Sequence, residues 1–182
     1  MEKISKVGKN FETVFEEILT ENNLTQEEVI YKTTEIKKGL FKSANVEVTI
    51  YKKSDIYDFV KEFLKEIVNN LGLEVTFETK KVEDRVVIKM YSNNNNILIG
   101  HNGNTIKALE NLVRQKIQLE TGMFFIISLD VENYKDKKIS RLERLAKQTA
   151  REVKRTHIDV HLENMNSYER RIVHNLVSEN EF

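Results

Sequence analysis

Two short stretches of this chain carry residue types suited to holding phosphate. Gly100-His101-Asn102-Gly103 sets two glycines three apart, directly before a helical pattern. Glycine lets a ligand approach the backbone closely, and a helix amino end offers free N–H groups and positive potential to an anion. Lys107, one turn into that helix, adds a cation. The second stretch is Asn166 to His174, where Arg170 and His174 stand four apart and project together from a helix, with Arg171 beside them. Each has a plainer reading alone: a structural glycine turn, and an Arg and His on a solvated face. Between them, residues 135–155 hold nine bases against Asp136, Glu143 and Glu152.

Other chemistry finds little support. Cysteine is absent, which excludes disulfides, thiolate metal sites and cysteine nucleophiles. His101, His157, His161 and His174 share no ligand spacing, so no metal site is expected. No Ser–His–acid set or paired carboxylates can be argued, so the expectation is a non-enzyme without a cofactor. Tyr134 and Tyr168 are candidates for stacking on bases, while Phe124 and Phe125 read as core.

The elements that must position these residues follow from periodicity. Phe11, Val14, Phe15, Ile18 and Leu19 predict an amphipathic helix, and Thr25 with Glu28 a capping box. Ile30 to Ile36 and the alternating Val46, Val48, Ile50 predict two strands joined near Gly39. A four-turn helix runs from a cap at Ser54 or Asp55 through Ile56, Val60, Leu64 and Val68 to a stop at Gly72. Strands follow over Leu73–Phe77 and Val86–Met90, separated by the charged turn Lys80–Arg85. After Ile97-Leu98-Ile99 and the glycine pair, Ile106, Leu109, Val113 and Ile117 predict a helix over 104–120, then a strand over 124–131.

Beyond that, Ile139, Leu142, Leu145, Ala146, Thr149, Ala150 and Val153 fall on one side of a long helix over 136–155. Arg141, Arg144, Gln148, Arg151 and Arg155 fall on the other, so one face is core and one a basic stripe. A short strand over 159–162 and a helix over 168–177, with Ile172, Val173, Leu176 and Val177 inward, complete the reading.

The charge balance hides that stripe. With 29 basic and 29 acidic residues the net charge is zero, which lacks the basic signature of a nucleic-acid binder. Residues 97–155 nonetheless hold 12 bases and 7 acids, and local fields steer a polyanion. Proline is absent where average usage predicts roughly nine residues, which argues against long irregular linkers. Met1 leads straight into charged residues and no apolar run approaches roughly 18 residues, so neither signal peptide nor membrane span is expected, and the location expected is cytoplasmic.

The order helix, strand, strand, GxxG, helix, strand resembles a K homology (KH) domain of the bacterial, type II-like form. That resemblance implies a loop that clamps a nucleic-acid backbone. Such loops commonly carry a basic residue between the glycines, where this chain has His101 and Asn102. Met165-Asn166-Ser167-Tyr168-Glu169-Arg170-Arg171-Ile172-Val173-His174 looks like the signature of the R-three-H domain, named for its Arg-x-x-x-His. There the Arg and His form a phosphate-facing pair. Prolines that often precede the Met-Asn pair are replaced by Glu163 and Asn164, and the chain ends at Phe182, so an incomplete domain is expected. Lys37-Lys38-Gly39-Leu40-Phe41 is similar to the hallmark of the amino-terminal Jag domain.

The three in this order resemble the Jag family, also called SpoIIIJ-associated or KhpB. The implied fold class is α+β: a small Jag N-terminal α/β unit over 1–52, a KH domain over 54–134, and a partial R-three-H domain over 135–182 entered by the long basic helix. The implied function is single-stranded RNA binding, as an RNA chaperone or post-transcriptional regulator, through Gly100, His101, Asn102, Gly103, Lys107, Arg141, Arg144, Arg151, Arg155, Arg170, Arg171 and His174. The resemblance also implies a small single-KH partner protein and a role in cell elongation, division and peptidoglycan homeostasis. A homodimer, and docking to cell-wall or membrane-insertion machinery, stay open. The rival reading is a protein-interaction adaptor with vestigial RNA binding.

Overall fold

Apolar residues recurring every three to four positions make helices here, and alternating ones make strands. The computed structural model describes residues 1–36, 45–82 and 85–179. The chain is mixed α+β and divides into two compact units, 1–131 and 132–182. The Lys37–Phe41 motif lies outside the described residues, as does part of the turn before Arg85.

The first sheet has the order β1-β3-β2, from β1 (Ile4–Gly8), β2 (Val29–Ile36) and β3 (Asn45–Lys52), all antiparallel. Helix α1 (Phe11–Glu21) covers it through Val14, Phe15 and Ile18, which pack with Val29, Val48 and Ile50. The Thr25–Glu28 pair forms as expected, the Thr25 N–H and hydroxyl each donating to Glu28 Oε2 at 2.8 Å.

Strand β1 was not expected from sequence, and its pattern explains why. Ile4, Lys6 and Gly8 are its half-buried positions while the apolar Val7 faces out, so the alternation of side-chain type is lost. Lys6 holds its inward place by ion pairs to Glu17 at 2.8 Å and Glu21 at 2.6 Å on α1.

β3 runs straight into α2 (Lys53–Asn70). The expected cap at Ser54 or Asp55 is therefore corrected: the N-cap is Lys52, and Asp55 instead accepts the Glu2 N–H at 3.2 Å. The second sheet has the order β4-β5-β6, from β4 (Val75–Val82), β5 (Arg85–Ser92) and β6 (Ile127–Val131). β4 and β5 are antiparallel, and β5 and β6 are parallel, joined across α3 (Asn95–Ile99) and α4 (Asn104–Thr121). Its core holds Ile56, Leu64, Ile88, Met90, Leu98, Ile106, Ile117 and Leu129, all essentially inaccessible. Each such side chain contributes about 1.5–3 kcal/mol by burial.

Two further expectations change. The last strand of this sheet begins only at Ile127: Phe124 is 77% exposed and Ile126 72%, while Phe125 packs beside Tyr57 with ring centroids 6.1 Å apart. Phe124 is thus no core residue. The five-residue α3 carries no sequence signal, being too short to display a helical period.

In 132–182, α5 (Tyr134–Thr156) and α6 (Ser167–Glu179) pack together. Ala146 is buried and Ile139, Leu142 and Val153 are half-buried, whereas Leu145 and Val177 are exposed. The expected strand over 159–162 does not form: residues 157–166 are irregular, and this unit supplies no partner strand among the described residues. An unpaired strand leaves its backbone donors and acceptors unsatisfied. No described helix is long and apolar enough to cross a membrane.

Candidate nucleic-acid interface

The glycine loop is anchored on both sides by core residues, Leu98 on α3 and Ile106 on α4. Gly100 ends α3 with φ +70°, ψ −180°, donating its N–H to Asn96 O at 2.8 Å, and its carbonyl accepts the Gly103 N–H at 3.2 Å. Gly103, with φ +83°, is the N-cap of α4. Among the described residues α4 has no side-chain cap; the Asn104 N–H that opens it donates to the His101 carbonyl within the loop. His101 and Asn102 form the exposed tip, with Asn102 Nδ2 3.1 Å from His101 Nε2. Lys107 is exposed on the following turn. The loop thus sets the uncapped amino end of α4 beside one cation.

In the second unit, Arg141, Arg144, Arg151 and Arg155 are exposed along α5, spanning about 21 Å at 1.5 Å per residue. None of the four makes an ion pair among the described residues. Such a row leaves its charge available to a polyanion. Tyr134 is half-buried with Lys138 Nζ 6.0 Å from its ring centroid, and Tyr168 is 63% exposed.

Arg170 and His174 line one open cavity of about 660 Å³, together with Leu162, Met165, Val173 and Val177. Arg170 Nη2 donates to Ser167 Oγ at 3.4 Å. Arg171, exposed on the same helix, is not part of that lining.

Sequence reasoning missed what holds α6 in place. Asn166 and Glu169 cap each other: Asn166 N–H donates to Glu169 Oε2 and Glu169 N–H to Asn166 Oδ1, both at 3.0 Å. The spacing Asn-x-x-Glu was visible and fits a capping box. The Glu169 carboxylate also meets Lys138 of α5 at 2.6 Å, which no local pattern reveals. No three His, Asp or Glu side chains among the described residues are grouped to hold a metal.

Residues 140–182 match the family model of the R-three-H domain. Over 179 residues the chain is 30% identical to the RNA-binding protein KhpB of Clostridium symbiosum, covering 96% of this chain and 81% of that one. It is 27% identical over 184 residues to the RNA-binding protein KhpB of Bacillus subtilis, covering 98% and 88%. With the RNA-binding protein KhpB of Lactiplantibacillus plantarum it shares 30% identity over 113 residues, 62% of this chain and 35% of the other.

Proposed function

Because the chain belongs to the KhpB family, we propose that it binds single-stranded RNA and performs no chemistry on it. The observation that carries this reading is the row of exposed arginines on α5 that make no ion pair among the described residues, Arg141, Arg144, Arg151 and Arg155. It lies in the same unit as Arg170 and His174.

The roles divide by chemistry. Gly100 and Gly103 admit a phosphate to the α4 N–H groups, with His101, Asn102 and Lys107 beside it. The α5 arginines supply sequence-independent attraction. Arg170 and His174 hold a second stretch of strand, and Arg171 adds charge at its margin. Two weak sites on one chain gain from effective concentration. The domains act as a Jag N-terminal unit over 1–52, a KH unit over 54–134 and an R-three-H unit over 135–182. The setting is cytoplasmic, as an RNA chaperone or post-transcriptional regulator. A small single-KH partner and a role in elongation, division and peptidoglycan homeostasis follow by family likeness.

A second reading, an adaptor for cell-wall or membrane-insertion machinery, is favoured by one observation: Leu119, Phe124 and Ile126 are more than 70% exposed. Salt separates the two. Polarisation of a labelled single-stranded RNA should give log affinity falling linearly with log salt, at a slope of about −0.7 per phosphate contact. Replacing Arg144 and Arg151 by Ala should flatten that slope by about 1.4. No binding at low salt, or an unchanged slope, sinks the RNA reading.

A further inference from the structure

Glu169 lies next to Arg170 in sequence but does not share its cavity. Its side chain is only 15% exposed, and two donors meet its carboxylate while its own N–H returns a third bond. Lys138 Nζ meets Oε1 at 2.6 Å, the Asn166 N–H donates to Oε2 at 3.0 Å, and the Glu169 N–H returns to Asn166 Oδ1 at 3.0 Å. The first of these ties α6 to α5; the other two fix the backbone turn that starts α6. The Arg170 N–H donates to the Asn166 carbonyl at 3.0 Å, so Arg170 sits in that same locked turn.

A charged hydrogen bond of this kind is short and directional, and its partial burial limits screening. Lys138 belongs to the basic helix, yet here its charge is spent on a carboxylate. An acidic side chain beside an RNA-binding arginine opposes binding electrostatically, so its presence there calls for a compensating role.

We propose that Glu169 is a positioning residue for RNA binding: held by Lys138 and Asn166, it sets Arg170 and His174 in fixed register with the arginine row of α5. This rests on the RNA-binding reading above.

The test is a double-mutant cycle on the full chain, read by polarisation of a fluorescein-labelled single-stranded RNA of mixed sequence. Glu169→Gln removes a negative charge, so electrostatics alone predicts tighter binding. Positioning predicts the reverse, a loss of about fivefold, within the range of coupling between residues of one network. In an Arg170→Ala background, Glu169→Gln should then cost nothing further. Lys138→Met, which leaves the Asn166 cap intact, should reproduce part of the loss, and Lys138→Arg should restore wild-type affinity. Circular dichroism checks that each variant folds; should Glu169→Gln unfold, the Lys138 pair of variants carries the same cycle. Tighter binding by Glu169→Gln, or an equal loss in both Arg170 backgrounds, overturns the positioning role. If wild type binds and Arg170→Ala changes nothing, the assignment of Arg170 fails first and this inference with it.

Discussion

Gly100 and Thr105 leave no room for a side chain between them. A Cβ on Gly100 would collide with the Thr105 hydroxyl oxygen and lie 2.8 Å from its Cβ and 2.9 Å from its backbone nitrogen. The first glycine of the loop therefore serves the fold as well as any ligand: it lets the chain double back onto the start of α4.

Gly100→Ala is expected to destabilise the protein. The φ of +70° with ψ near 180° belongs to a region that essentially only glycine uses, at about 1–3 kcal/mol for any other residue. Urea unfolding should show a lower midpoint at unchanged slope. A wild-type midpoint would mean that the loop relaxes freely, and that the collision with Thr105 is of no consequence.

The loop tip allows a cleaner probe of ligand contact. His101 and Asn102 are exposed, and Asn102, at φ +54°, occupies the left-handed region that Asp also tolerates. His101→Glu and Asn102→Asp should each stay within about 0.5 kcal/mol of wild-type stability, as surface substitutions generally do. Both should weaken single-stranded RNA binding at low salt, with the deficit shrinking as salt rises. Unchanged affinity at low salt would remove the tip from the interface.

Glu110 closes an open sheet edge. Its Oε1 accepts the Leu129 N–H at 2.8 Å and the Ser128 hydroxyl at 3.2 Å, tying α4 to β6. Leu129 is fully buried, so Glu110→Ala leaves a buried donor unsatisfied, at about 1–3 kcal/mol. Glu110→Gln keeps an acceptor and should lose less. Amide exchange at Leu129 should accelerate in the Ala variant first; equal exchange in both variants would count against the edge-closing role.

The Thr25–Glu28 box titrates in a defined direction. The Thr25 backbone N–H, and then its hydroxyl, hold the Glu28 carboxyl below its ordinary value of 4.5. A depressed carboxyl stabilises the fold above its unfolded pKa and loses that contribution as pH falls through the folded one. Carboxyl carbon shifts in an NMR titration should give Glu28 a midpoint under 4.5, and Thr25→Ala should raise it. A midpoint at or above 4.5 in the wild type contradicts the box.

Much of the fold was legible because its elements carry long, regular patterns. Ile106, Leu109, Val113 and Ile117 repeat through α4, and all four are buried as their spacing requires. The elements that escaped are those held by something other than periodicity. β1 turns a lysine inward because two glutamates of α1 receive it, and α3 is too short to have a period. The expected strand over 159–162 failed for the converse reason: its apolar residues alternate, but a strand needs a neighbour, and alternation says nothing about one.

The site divides in the same way. The amino-acid sequence by itself determined where the proposed phosphate-binding groups lie: the glycine pair, the α5 arginines within one face of a helix, and the Arg170–His174 pair one turn apart. These are local facts, set by 3.6 residues per turn and by the absence of a side chain on glycine. Only the tertiary structure decided what holds them. The Lys138–Glu169 pair joins residues 31 positions apart at 2.6 Å, and Glu110 reaches the Leu129 N–H at 2.8 Å, because packing brings together groups whose separation along the chain carries no pattern.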